Sequence, residues 1–188
     1  GWNNDRDTGM RMFQIAAVVD WLGDHLDEKA RQTMIDKLVY HADLAYRMTV
    51  LQKGYWYYRC IEAHGQGFWF GFAAAALALA DEHAAAPRWL NWCRMNLEEG
   101  LASLPDDGVS EWLIFNVQWH ILQHMLFDRV APDELGPDAL FLRTFPRNIG
   151  HFIGTTTPRG NLAPLFFYLA DRYGDERCQA DALVCVGW

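Results

Sequence analysis

The stretch Tyr55–Leu79, YWYYRCIEAHGQGFWFGFAAAALAL, decides the fold. It opens with aromatic side chains, passes through a polar turn that contains two glycines, and ends in a segment that is apolar on every side. A helix that is apolar all round must lie inside other helices, because only there is its whole surface removed from water. The sequence therefore predicts an interior helix over residues 67–82, with His64 and Gln66 at its beginning.

Helical spacing of apolar residues also describes the rest of the chain. No segment sustains the alternation of apolar and polar residues that is typical of a half-buried strand, so we expect an all-α protein. Clusters of Pro, Gly and Asp separate eight predicted helices. Their ranges are 10–25, 27–51, 67–82, 87–101, 111–130, 138–152, 162–173 and 175–188.

The predicted helices form pairs that recur about every 45 residues, as in arrays of helical hairpins. The third, fifth and seventh helices are the more apolar, while the second and fourth carry more charge. This pattern predicts an inner layer wrapped by an outer layer, as one domain over residues 1–188. The expected architecture is an incomplete α/α toroid of about four antiparallel hairpins. Because Gly1 opens in turn-like sequence and Trp188 ends an apolar segment, we expect a piece of a longer protein.

Connections from outer to inner helices should all lie on one rim of such an array. These connections, WNNDRDT, GYWYYRCIEAHGQG, PDDGVS and TTTPRGN, carry most of the polar and basic loop residues. Sites collect on loops at one face of a rigid scaffold. The predicted rim holds Arg6, Asp7, Tyr57, Arg59, Glu62, His64, Gln66, Asp107, Glu111 and Arg159.

Charge and hydropathy limit the kinds of partner that we expect for this protein. The net charge of −8 argues against nucleic acid, which selects a basic surface. It leaves room for an anionic substrate, because local arginines can oppose the overall field. The longest apolar run, residues 68–80, is shorter than the roughly 20 residues that cross a bilayer. The four cysteines show no zinc-binding spacing and are expected to be buried and inert.

Two polar groups could carry chemistry. His64 has an imidazole that exchanges protons near neutral pH, which suits a base, although a histidine in this turn could equally cap the helix. Glu111 with Asp107 could form a pair of carboxylates like that of a glycosidase, or could simply stabilise a helix N-terminus.

Two further groups have a simpler explanation. His120 and His124 share one helix face, but Ile121 stands where zinc proteases have their catalytic glutamate, so no metal site is predicted. Trp69, Trp112 and Trp119 could stack against sugar rings, although core packing also explains them.

The segments EAHGQGFWFGFAAAALALADEH, DDGVSEWLIFNVQWHILQHML and TTTPRGNLAPLFFYLADRYGD together resemble the helical toroid of heparinase II/III-like polysaccharide lyases, which are related to alginate lyases and dermatan sulfate epimerase. The resemblance spans most of the chain. It implies cleavage of uronic-acid-containing polysaccharide by β-elimination, without a cofactor. It also implies a periplasmic or extracellular location and a missing β-sandwich part.

Residue roles follow from this resemblance. His64 matches the motif histidine, and Glu111 matches the glutamate after the Asp-Gly pair. The tyrosine of the family, the usual proton acceptor and donor, would fall near Phe115 or Gln118, where this sequence has no tyrosine. The expected catalytic residues are His64, Gln66 and Glu111, and the expected substrate-binding residues are Tyr57, Arg59, Trp69 and Arg159.

Three functions remain open from the sequence. A uronate lyase is the main hypothesis, with an anionic polysaccharide or oligosaccharide as substrate and no nucleic acid or membrane as partner. A glycoside hydrolase on a similar toroid and a non-catalytic carbohydrate-binding toroid are the alternatives. The sequence does not determine the oligomeric state.

Overall fold

A computed structural model describes residues 5–54, 57, 63–103, 111–130 and 162–186, with the backbone alone at residues 5, 63 and 111–117. Within these ranges the chain is all-helical and has no β-strand, which confirms the predicted class. The described α-helices are α1 Asp5–Leu22, α2 Glu28–Tyr46, α3 Ala63–Ala78, α4 Ala86–Ala102, α5 Glu111–Val130, α6 Ala163–Tyr173 and α7 Glu176–Cys185. The predicted helix over residues 138–152 lies outside the described residues.

The chain divides into two compact units, Gly1–Glu99 and Gly100–Trp188. The first unit contains α1 to α3 and most of α4, and the second contains α5, α6 and α7.

Local signals set several helix ends. The side chain of Asp27 accepts a hydrogen bond of 2.8 Å from the backbone N–H of Ala30, which caps α2 as the sequence predicts. Asp175 caps α7 in the same way through the N–H of Arg177, at 3.0 Å. Gly174 ends α6 at a φ of 61°, in the left-handed region that glycine enters without strain.

Helix α3 is the core of the first unit. Every residue from 65 to 76 is buried, as expected for a helix that is apolar all round. On one side α3 meets α1 in the most extensive contact between described helices. Their backbones touch, because a Cβ atom on Gly9 would lie 2.2 Å from the carbonyl oxygen of Gly67.

Aromatic rings and one ion pair join α3 to the other helices of this unit. The rings of Phe72 in α3 and Trp89 in α4 have centroids 6.3 Å apart. Arg31 of α2 forms an ion pair with Glu82, in the turn that follows α3. Because α3 is fixed by α1, α2 and α4, its first turn has a defined position in the unit.

The end of α2 changes its helical geometry. A π-helical turn, Arg47–Leu51, follows Tyr46, and Lys53 then adopts a left-handed φ of 48°. The N–H of Gly54 donates to the carbonyl oxygens of Met48 and Thr49, each at 3.1 Å. These bonds end the helix shortly before the sequence that leads into α3.

The second unit has a core of its own. Helix α6 packs closely against α7 and also contacts α5. The buried apolar side chains of this unit include Phe127, Phe166, Leu169, Cys178 and Ala182. None of the described helices combines the length and the apolar character that crossing a membrane needs.

Candidate functional site

His64 lies in the first turn of α3, and its side chain is exposed to solvent. The sequence predicts this residue at the beginning of the interior helix, and the structure places it there. The imidazole is therefore accessible to solvent, while residues 65–76 of the same helix are buried.

Gln66 follows two residues later but is fully buried, at 0% exposed. Its side-chain amide donates a hydrogen bond of 3.0 Å to the Oδ1 atom of Asn96 in α4. Asn96 is itself buried. The predicted catalytic role of Gln66 stays a prediction, while the structure shows that its amide joins α3 to α4.

Trp69 lies in the core of the first unit, with 2% of its surface exposed. Its ring centroid is 5.9 Å from the centroids of both Phe68 and Phe72. Core packing, the alternative considered for this residue, accounts for that position. Stacking of a sugar ring on Trp69 stays a prediction.

Tyr57 is half-buried, and its ring lies 5.9 Å from the ring of Trp92 at an angle of 49°. Trp92 in α4 is also half-buried. Tilted aromatic pairs of this kind keep a ring in a defined orientation while leaving part of it accessible. This geometry is compatible with the predicted contact between Tyr57 and substrate.

The other predicted site residues are less completely described. Glu111 is the first residue of α5, a position where a carboxylate interacts favourably with the helix dipole. Its side chain, together with Arg59 and Arg159, lies outside the described residues. The convergence of His64, Glu111 and Arg159 on one rim therefore stays a prediction.

The second unit contains a polar network that the sequence patterns above do not predict. His124 of α5 is 2% exposed, and its Nδ1 atom lies 2.7 Å from the hydroxyl oxygen of Tyr168 in α6. That hydroxyl donates to Oδ2 of Asp128 at 3.1 Å. Arg172 pairs with the other oxygen of the same carboxylate. The network joins α5 to α6 through polar groups that are buried or half-buried.

The network determines which nitrogen of His124 carries hydrogen. The hydroxyl of Tyr168 has a single proton, and it donates that proton to Asp128. The Nδ1 atom of His124 must then be the donor in its contact with Tyr168. Burial raises the pKa of Tyr168 above its usual range, and the nearby Asp128 raises it further against the opposing effect of Arg172. Tyr168 is therefore held as a neutral phenol.

One signal in the sequence could have revealed this network. His124 and Asp128 are four residues apart on α5, and Tyr168 and Arg172 are four apart on α6. Residues at this spacing lie on one face of a helix, so two such pairs can meet across a helix contact. Among the described residues, no group of three or more His, Cys, Asp and Glu side chains could hold a metal ion.

Comparison with known protein families, characterised proteins and solved structures finds no match to this chain. The described residues define an all-helical protein with a buried central helix, an exposed histidine at the beginning of that helix and a separate polar network. The resemblance to polysaccharide lyases stays a hypothesis that depends on the motifs quoted above.

Proposed function

We propose that this chain is the helical domain of a lyase that cleaves uronic-acid-containing polysaccharide by β-elimination. An incomplete α/α toroid and a periplasmic or extracellular location are parts of the same proposal. The observation that carries it is the exposed His64, which directly precedes the buried residues 65–76 of α3. This position combines a base that solvent can reach with a rigid support.

The chemistry needs these features together. A base removes the proton from C5 of the uronate, and the electron pair of the C5–H bond forms the double bond between C4 and C5. The bond between C4 and the leaving oxygen then breaks, and that oxygen takes up a proton from the protonated base or from water. Negative charge develops on the carboxylate attached to C5 as the proton leaves, so fixed positive charge lowers the barrier.

In this scheme His64 is the base. The guanidinium groups of Arg59 and Arg159 stabilise the developing charge. Tyr57 contacts the sugar, and its half-buried ring is kept in orientation by Trp92. Glu111 contributes to binding of the carboxylate when it is protonated.

The test uses full-length protein with alginate, heparan and chondroitin chains. Formation of an unsaturated uronate is followed by its ultraviolet absorbance. His64→Ala should lower kcat by about 100-fold or more, because general base catalysis contributes factors of that size. His25→Ala is the matched control, since His25 is an exposed histidine outside α3 and should leave turnover unchanged.

Three outcomes would contradict the proposal. New reducing ends without an unsaturated product would indicate a hydrolase. Binding of polysaccharide without turnover would indicate a non-catalytic binding domain. Equal turnover of His64→Ala and His25→Ala would remove His64 from the reaction.

A further inference from the structure

We propose that Asn96 is a positioning residue for His64 and acts through Gln66. This inference rests on the proposed function, because it assigns a role within the same site. Asn96 lies in α4, while His64 and Gln66 lie in the first turn of α3. The role would be to hold that turn in one orientation, without contact between Asn96 and the substrate.

The hydrogen bond between Gln66 and Asn96 is suited to this role because water cannot easily replace it. Gln66 is fully buried and Asn96 is 7% exposed, and their side-chain amides meet at 3.0 Å. When one partner of a buried hydrogen bond is removed, the other polar group stays buried with neither water nor a partner, and this costs free energy. The bond therefore restrains the Gln66 side chain, and with it the backbone to which it is attached.

Helix geometry transmits this restraint to His64. Successive residues of an α-helix are about 100° apart around the axis, so side chains two residues apart point to nearly opposite sides. Gln66 faces α4 in the interior, and His64 faces solvent. The hydrogen bond on the side of α3 that faces α4 can thus fix the direction of the imidazole on the side that faces solvent.

The same turn is also fixed from the side of α1. A Cβ atom on Gly9 would lie 2.2 Å from the carbonyl oxygen of Gly67, the residue that follows Gln66. The backbone of α1 therefore leaves Gly67 no room to shift. Helix ends fray unless other contacts hold them. Gly9 and Asn96 together hold the beginning of α3 from two neighbouring helices, and this preorganises His64.

Asn91 provides a matched control in the same helix. It is exposed, and its side chain bonds only within α4, donating to the sulfur of Met95 and accepting from Arg94. Asn96→Leu in full-length protein should lower kcat about tenfold and leave KM unchanged, because the base is misplaced but no substrate contact is lost. Asn91→Leu should retain the kcat of the unaltered protein. Asn96→Asp, which keeps an oxygen acceptor for Gln66, should recover most of the loss.

A second variant tests whether both amides act through one bond. Gln66→Met should lower kcat to the same extent as Asn96→Leu, and the double variant should show no further loss. Losses that multiply in the double variant would overturn the proposal. An Asn96→Leu enzyme with unaltered kcat would overturn it as well.

Hydrogen exchange separates this inference from the proposed function. Asn96→Leu should speed amide exchange at residues 64–67 about tenfold relative to Asn91→Leu, because the turn opens more often. If no polysaccharide is cleaved, the lyase proposal fails, and this exchange measurement then decides alone whether Asn96 holds the turn that bears His64. Equal exchange in the two variants would overturn the positioning role.

Discussion

A Cβ atom placed on Gly71 would lie 1.8 Å from the carbonyl oxygen of Gly9. The obstacle is backbone on both sides, so no side-chain rotation could relieve such a contact. Helices α1 and α3 therefore approach each other as closely as their main chains allow, and the two glycines permit this approach.

Gly71→Ala should consequently destabilise the protein. The added methyl group forces α1 away from α3, and overpacking of this kind costs about 3 kcal/mol. The free energy of unfolding in urea measures the effect. Gly23→Ala is the control, since the nearest atom to its added Cβ is Nε of the flexible Arg31 side chain, at 3.5 Å. Similar losses in the two variants would show that α1 can move without penalty.

Tyr168→Phe should destabilise the second unit by about 1–2 kcal/mol. The change removes the hydroxyl that His124 and Asp128 share, so each loses that hydrogen bond in a buried or half-buried position. Thermal unfolding measures the loss. Tyr40→Phe is the matched control, because Tyr40 is 60% exposed and its hydroxyl can bond to water. A Tyr168→Phe protein as stable as the Tyr40→Phe protein would mean that the network contributes nothing to stability.

Asp181→Asn should stabilise the protein at neutral pH. Burial raises the pKa of Asp181, and the charge of Asp175 raises it further. The folded state therefore favours the protonated carboxyl. The raised pKa stabilises the folded state fully at pH values below the ordinary pKa of aspartate, and this stabilisation is lost as pH rises through the pKa of Asp181 in the folded state. The ionised carboxylate therefore opposes folding at neutral pH.

The difference in melting temperature between Asp181→Asn and the unaltered protein should thus be positive at neutral pH. It should disappear in acid below the ordinary aspartate pKa of about 3.9, where both side chains are neutral. Asp171→Asn controls for the removal of a charge at an exposed position on α6. A gain that persists in acid would rule out ionisation as its cause.

Cys93, Cys178 and Cys185 should resist alkylation in the folded protein at neutral pH. Burial raises the pKa of Cys93 well above its usual range and that of Cys178 to about 12, so little reactive thiolate forms. The measurement is mass-spectrometric labelling with and without denaturant, on a Cys60→Ser background, since Cys60 lies outside the described residues. Rapid labelling of Cys93 without denaturant would contradict this expectation.

Much of the secondary structure could be predicted because its causes are local. The range 111–130 of α5 is confirmed, as is the cap at Asp27. The sequence predicts that α3 begins at about residue 67, but residues 63–66 are already helical. The local sequence predicts a turn at Gly65 and Gly67, whereas both residues are helical in the folded chain. The backbone of α1 packs directly against Gly67. A tertiary contact outweighs the low helix propensity of glycine here.

The site shows the same division between local and distant causes. The position of His64 follows from the composition of the sequence around it. Gln66, by contrast, is buried and bonds to Asn96, which is 30 residues away in the chain. The sequence does not predict a role for Tyr168, because its partner His124 is separated from it by 44 residues. Pairings of this kind need the arrangement of the helices, which spacing alone does not provide.

The position of α1 against α3 limits how the protein can be shortened. Trimming an amino-terminal segment is usually harmless, because such segments tend to be loosely attached. Here removal of α1 would strip one side of α3 and uncover Phe70, whose ring lies 4.9 Å from that of Phe13. A truncated chain that starts at α2 would expose the apolar face of α3 to water and would aggregate.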